Sequence, residues 1–307
     1  MAIGSREGAA PELQTLRDWL RFTATQLARA DLHYGHGTDS AWDEAVALVL
    51  GWLRVPEDRA DILLDARLTR QEAAALADCV ERRINERVPV PYLTGLARFA
   101  GLDFEVDPRV LIPRSPIAEL LAAGLQPWLG ERQPQRILDL ATGSGCIGIA
   151  AAMTFPEAEV VLADVDADAL ELAERNVRRH GLVDRVRVEQ SDLFASLGGA
   201  RFDLILCNPP YVDPADLASM PEEFRHEPML ALAGGGADGL ELVQRLLQAA
   251  PQHLEEGGLL VLEVGNSAPA LLAREPELAW VWPELEAGGF GVGIIDRAEL
   301  MAGLGQD

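Results

Sequence analysis

The residues Asn208-Pro209-Pro210-Tyr211 follow the apolar run Leu204-Ile205-Leu206-Cys207. Two consecutive prolines fix the backbone and remove two N–H donors, leaving carbonyls free to face a ligand. The Asn208 side-chain oxygen and the Pro209 carbonyl can each accept one hydrogen of an –NH2 group, while Tyr211 can stack over the same planar group. Gripped that way, the nitrogen lone pair points at an incoming electrophile. An amide nitrogen is a poor nucleophile, so positioning and electrostatics must carry much of the rate, and reactivity must come from a cofactor. The bland alternative is a Pro-Pro turn that merely ends a strand.

A second constellation lies upstream, in Asp139-Leu140-Ala141-Thr142-Gly143-Ser144-Gly145-Cys146-Ile147-Gly148, with Asp164 following. Gly143, Gly145 and Gly148 satisfy G-x-G-x-x-G, and an acid after the next strand can bind ribose hydroxyls. Dinucleotides and S-adenosylmethionine both use this geometry. Asp139 favours the latter, because a carboxylate on the turn repels pyrophosphate but suits ammonium and sulfonium charges. Asp139, Ala141, Thr142, Gly143, Ser144 and Gly145 are therefore expected at the cofactor, with a buried acid capping a tight turn as the alternative for Asp139. Asp164 is expected on the ribose, with its neighbours Asp166 and Asp168 as alternatives for that role, and Asp168 rather as the N-cap of the following helix. Asp192 could accept the adenine amino group with Leu193 against the ring, and Asn208 would border the cofactor from the amide side.

These residues need strands that end together. Arg136–Leu140, Glu159–Ala163, Arg185–Glu189, Phe202–Cys207 and Gly258–Val264 read as strands, alternating with helices such as Ile147–Thr154 and Asp168–His180. Such alternation implies right-handed crossovers and a parallel sheet covered on both faces. Trp280–Leu285 and Gly289–Asp296 look like two further strands around a Gly-rich turn, forming an antiparallel edge. Earlier in the chain, Glu12–Ala30, Ala41–Leu53 and Thr69–Arg87 have helical periodicity, with Ser40 and Thr69 as N-caps. Val88–Pro91 breaks that pattern, and Leu93–Leu111 suggests a hairpin-like connector. The expected layout is a helical domain over 1–88, a hairpin linker over 89–116, and an α/β doubly wound domain over 117–307.

Composition narrows the partners. The 307 residues carry 49 acids against 26 basic side chains, all of them Arg, for a net charge of −23. Without Lys there is no Schiff base and no Walker-type phosphate lysine. Residues 1–115 hold 18 acids and 14 Arg, residues 116–307 hold 31 acids and 12 Arg, so the net −19 of the second stretch opposes non-specific binding to nucleic acid. No apolar run approaches a membrane span, the start lacks a signal-peptide stretch, and three scattered cysteines suit a reducing compartment. A cytoplasmic protein with no membrane partner and no metal is expected. His33 and His36 lack further ligands nearby, Cys146 and Cys207 lack an activating cation, and His226, Glu263 and Asn266 are weak substrate candidates.

The motif Asn-Pro-Pro-Tyr after the fourth strand resembles the signature of class I methyltransferases acting on planar-system nitrogens. Leu111-Ile112-Pro113-Arg114-Ser115-Pro116-Ile117 is similar to a segment of the HemK-type protein glutamine methyltransferases. Its Pro-Arg-Ser-Pro-Ile resembles the branch acting on large-subunit ribosomal protein L-three, and Tyr34–Asp39, Trp42–Ala45 and Phe224–Pro228 fit that branch. The resemblance implies a seven-stranded Rossmann-like domain, S-adenosylmethionine as cofactor, a helical substrate-recognition domain, and methylation of a glutamine amide of that ribosomal protein. Asn208, Pro209, Pro210 and Tyr211 then form the catalytic site. A release-factor glutamine, an exocyclic base amine reached by base flipping, and a dinucleotide-dependent oxidoreductase stand as alternatives. Ala141, where many methyltransferases carry Gly, departs from the wider pattern. Asp213, Asp216, Glu222, Glu223 and Glu227 suggest an acidic surface that steers a basic protein substrate.

Overall fold

Helix boundaries in the amino-terminal part are set by capping chemistry. Thr15 accepts the Asp18 N–H and Asp18 reaches back to the Thr15 N–H, opening α1 (Leu16–Arg29). Ser40 caps α2 (Ala41–Leu53), and a Thr69/Glu72 capping box opens α4 (Arg70–Asn85) after the short α3 (Ala60–Leu63). Each cap satisfies N–H groups that have no partner inside the helix. The helical pattern breaks after Asn85, ahead of Val88–Pro91, and a separate short α5 (Val90–Thr94) follows. Its Pro91 sits in the first turn, where a missing N–H costs nothing.

The structure is a computed structural model describing residues 12–286 and 290–306. The chain divides into two units: one runs up to Ala97 and includes Pro221–His226, the other comprises Arg98–Met220 and the chain from Glu227 onward. In the first unit Trp19, Leu20, Val49, Leu50 and Leu76 form a buried cluster. Beside it Arg83 is wholly buried, bonded to Glu44, Glu223 and the His33 carbonyl. Its three partners satisfy both the charge and the donors of the guanidinium, as burial of an ion demands.

Leu96–Phe99 (β1) and Leu102–Glu105 (β2) form a two-stranded hairpin where the chain passes from one unit to the next. Ala100 and Gly101 both have positive φ, the signature of a two-residue type I′ turn.

The second unit is a doubly wound sheet. Helix α6 (Ile117–Ala122) precedes β3 (Arg136–Leu140), α7 (Cys146–Thr154), β4 (Glu159–Asp164), α8 (Ala167–Arg179), β5 (Val186–Gln190) and β6 (Phe202–Cys207). Then come α9 (Pro214–Ser219), α10 (Glu241–His253), β7 (Leu254–Glu263), α11 (Ala268–Arg274), β8 (Val292–Asp296) and α12 (Arg297–Gly303). The sheet order is β5-β4-β3-β6-β7-β8, parallel except for β8. Strand order reverses between β3 and β6, which opens a crevice at their carboxyl ends.

Two expectations are corrected here. The seventh strand expected at Trp280–Leu285 is reduced to one antiparallel bridge, Val281 with Ile294. Pro283 follows two residues later and lacks the N–H that a continuing ladder needs. The Gly289 end of that turn lies outside the described residues, as does the amino-terminal start. Asp168 is not the N-cap of α8: the cap is Asp166, whose carboxylate accepts the Asp168 N–H at 2.9 Å. Asp168 already lies in the first turn, two residues inside the cap.

Candidate active site

The glycine turn is built by a buried acid. Asp139, at the end of β3, is fully buried, and its Oδ2 accepts the Thr142 hydroxyl and, at 2.8 Å, the Gly148 N–H. Oδ1 has no hydrogen-bond partner among the described residues. Burial pushes the carboxyl up to about 7, against the pull of those two bonds. Gly148 is required by packing, since a Cβ there would stand 2.1 Å from Leu162 Cδ2. Gly143 and Gly145 turn the backbone with φ +54° and +82°. Ala141 also takes a positive φ, +54°, which explains why glycine suits this position in the wider pattern. Fully buried Asn176 steadies the loop from α8 by donating to the Ser144 carbonyl at 2.9 Å.

Asp164 ends β4 beside this turn. Its Oδ2 accepts the Gly143 N–H at 2.9 Å and its Oδ1 the Asp166 N–H at 3.0 Å, while burial raises its pKa. Asp164 lines an open cleft together with Ala141, Thr142, Gly143 and Ser144. Asp192 and Leu193 lie on the same wall. Asp192 is ion-paired with Arg245 at 2.8 Å, and Leu193 holds a left-handed φ of +51°.

Across the switch point, Asn208 and Pro210 complete the cleft. The Asn208 side chain is partly exposed and makes no hydrogen bond to a described residue, so its amide is available to a ligand. The remaining expected site residues lie behind this wall: Asp139, Gly145, Pro209 and Tyr211 do not line the cleft. Tyr211 donates its hydroxyl to Glu263 Oε1 at 3.1 Å, and its ring lies against Gly265. Burial raises the Tyr211 pKa, so the hydroxyl stays protonated and remains a donor.

Several residues enter the site by tertiary placement alone. Arg114 and Ser115, from the segment before α6, stand on the cleft wall. Arg114 makes a two-point ion pair with Glu227, one contact at 2.8 Å, and Glu227 also accepts the Ile112 N–H at 3.0 Å. Ser115 donates to Glu263 Oε2. Glu263, named from sequence as a substrate candidate, is instead buried and committed to Ser115 and Tyr211. The expected acidic surface also contracts: Glu223 and Glu227 are buried in ion pairs, and Asp213 caps α9. The side chains of Glu223 and Glu227 neutralise arginines, so they do not present free charge to a partner.

Cys146 lines the cleft but burial pushes its thiol up to about 12, which removes the thiolate needed for nucleophilic attack. Cys207 is likewise buried and raised. His33 and His36 pack against Phe224, and His226 pairs with the Glu86 carbonyl. Among the described residues no cluster of His, Cys, Asp or Glu could hold a metal ion.

The cleft fits S-adenosylmethionine in its chemistry. The carboxylate of Asp164 on the cleft wall suits a cationic ligand, buried Asp139 Oδ1 lacks a partner among the described residues, and no Lys or Arg of a phosphate cradle stands on the glycine turn. The family described as methyltransferase small domain matches residues 118–237. The chain is 49% identical over 290 residues to the ribosomal protein uL3 glutamine methyltransferase of Bordetella pertussis, covering 94% of this chain and 97% of that protein. It is 43% identical to the protein of the same name from Francisella tularensis, covering 94% and 92%. The crystal structure of the hMettl16 catalytic domain in complex with a MAT2A 3'UTR hairpin shares the fold, with a TM-score of 0.50 and 18% identity over 73% of this chain and 79% of that one. Similarity at this level along nearly the whole length, on an S-adenosylmethionine-dependent Rossmann-like scaffold, makes the chain a member of the ribosomal protein uL3 glutamine methyltransferase family.

Proposed function

We propose that this protein transfers a methyl group from S-adenosylmethionine to the side-chain amide nitrogen of a glutamine in ribosomal protein uL3. The observation that carries the reading is the shared cleft: Asn208 and Pro210 of the amide-gripping motif face the same space as Asp164 and the glycine turn. Asp164 would take the ribose hydroxyls, and Asp192 and Leu193 the adenine. Ala141, Thr142, Gly143 and Ser144 would follow the methionine end. Asp139 and Gly145 act from beneath, Asp139 by holding the turn through Thr142 and Gly148. Bound there, S-adenosylmethionine supplies an electrophilic methyl on a positive sulfur.

Asn208 Oδ1 on the cleft wall would accept one amide hydrogen, and the Pro209 carbonyl, joined to Pro210 of that wall, would accept the other, fixing the plane of the glutamine amide and directing its lone pair. Pro210 closes that side of the cleft, and Tyr211 shapes it from behind. This orientation converts a weak nucleophile into a positioned one. The helical amino-terminal unit would recognise the protein substrate, in the cytoplasm and without direct contact to nucleic acid. No described helix is long and apolar enough to cross a membrane.

The test is incubation with isotopically labelled S-adenosylmethionine and either purified uL3 or a release factor, followed by mapping of the modified residue. Label on a uL3 glutamine supports the reading, and label on the release factor alone replaces the substrate. Calorimetric titration with S-adenosylmethionine and NAD separates the cofactor classes.

A further inference from the structure

Tyr211 is held from one short segment. Its hydroxyl donates to Glu263 Oε1 at 3.1 Å, its carbonyl accepts the Ser267 hydroxyl at 2.8 Å, and its ring lies so close to Gly265 that a Cβ there would stand 2.7 Å from Cε2. Its backbone is enclosed from another side, where a Cβ on Gly234 would meet Tyr211 Cα at 2.7 Å and one on Gly239 would meet its carbonyl oxygen at 2.3 Å. Glu263 in turn accepts the hydroxyl of Ser115, whose oxygen also receives the Ile117 N–H at 3.2 Å. Glu263 and Ser115 are 6% and 5% exposed, so their bonds do not compete with bulk water.

We propose that Ser115, Glu263 and Tyr211 form a positioning relay that fixes the Asn208–Tyr211 turn for amide transfer, with Glu263 as its hub. The inference rests on the amide-site reading above and adds to it Ser115, on the cleft wall, and Glu263, which does not line the cleft. The geometric argument is direct. Asn208 and Pro210 lie on the cleft wall and Tyr211, the next residue, lies behind it. A turn whose last member can tilt cannot hold Asn208 Oδ1 and the Pro209 carbonyl at a fixed separation. Two consecutive prolines stiffen the turn but leave its orientation free about the bonds on either side. To the Ser267 bond and the Gly234 and Gly239 contacts on its backbone Glu263 adds a restraint on the side chain, and it is itself held by Ser115, from a segment that also places Arg114 on the cleft. A single carboxylate with two donors thus ties the segment before α6, the end of β7 and the turn after β6.

The relay makes a specific kinetic demand. Loosening it misplaces the amide after binding, so kcat falls while cofactor affinity holds. Tyr211→Phe, Glu263→Met and Ser115→Ala are each expected to lower kcat on uL3 by on the order of 10-fold to 100-fold, the scale of a small misplacement. The dissociation constant for S-adenosylmethionine, measured by calorimetry, stays within about an order of magnitude. The Tyr211→Phe, Glu263→Met double variant is expected to be no slower than the slower single one, because each change removes the Tyr211–Glu263 bond. Ser115→Thr, which keeps the hydroxyl, restores most of the rate lost in Ser115→Ala. Multiplying losses in the double variant would overturn the relay, as would a parallel loss of cofactor affinity in the single ones. Should Glu263→Met fail to fold, Tyr211→Phe with Ser115→Ala tests the relay through its two outer bonds. Asn208→Ala, run alongside, separates the two readings. Full activity there removes the amide-site assignment, while coupling between Tyr211 and Glu263 is judged on its own.

Discussion

Asp164 reaches from the end of β4 to accept the Gly143 N–H at 2.9 Å, so the acid that closes one strand holds the glycine turn that closes its neighbour. Its second oxygen is spent on Asp166 N–H, which fixes the carboxylate plane toward the cleft. Asp164→Ala therefore loses a ligand acceptor and unties the turn at once. The expected result is a fall in S-adenosylmethionine affinity of roughly 10-fold to 100-fold, in line with about 1.5–3 kcal/mol for a bond to a charged group. Calorimetry checks it, and unchanged affinity would remove Asp164 from the site.

Ala141 occupies a left-handed φ of +54° on the cleft wall. An L-residue is strained there by about 1–2 kcal/mol, whereas glycine is not but loses more chain entropy on folding. The two effects nearly offset, so Ala141→Gly should leave stability within about 1 kcal/mol of the parent. Ala141→Val adds a branched side chain in the same conformation and should cost about 1–3 kcal/mol. Denaturant titration of both variants, with equal m-values, decides it.

Asp139 carries a pH signature. Its carboxyl, ordinarily near 3.8, is pushed up to about 7 by burial, so the folded ligand-free protein keeps a proton that the unfolded chain releases. Stability from this group is present in full below about pH 4 and is lost as pH rises toward 7. Asp139→Asn, which stays neutral, should flatten that part of the Tm-versus-pH curve. An unchanged slope between those limits would show that Asp139 titrates normally.

Arg83 stands fully buried between Glu44 and Glu223. Arg83→Met would leave buried Glu44 without its counter-charge and Glu223 with Arg87 alone, at 3.5 Å, and should destabilise the helical unit by about 3–5 kcal/mol. Glu223→Gln retains an acceptor and should cost less. Thermal unfolding of the two variants checks the order. Inverting it would return Glu223 to the role of surface charge.

Much of the scaffold is legible in local residue order. β3 and β6 fall at Arg136–Leu140 and Phe202–Cys207, matching the apolar runs, because strands covered on both faces need near-continuous hydrophobicity. The caps at Ser40 and Thr69 are equally local, since the bonds they make lie within three residues. The Trp280–Leu285 strand fails for a reason also written locally, in Pro283, but visible only once the ladder demands a donor. Of the site, the glycine turn, Asp164 and Asn208 meet at one cleft as their positions after successive strands imply.

What periodicity and spacing do not encode is the partner of a buried charge. Glu223, Glu227 and Glu263 look alike in a row of acids, yet each is buried against a side chain or N–H more than a hundred or at least fifty residues away. Sequence by itself determined an Asn-Pro-Pro-Tyr turn and a glycine turn in a chain without lysine, because those properties belong to residue types and their short spacing. Only the tertiary structure decided that Tyr211 stands behind the cleft rather than on it, and that Ser115 and Glu263 support it. A hydrogen bond between distant segments depends on where the folded chain places both ends, and that placement is set by the whole sheet.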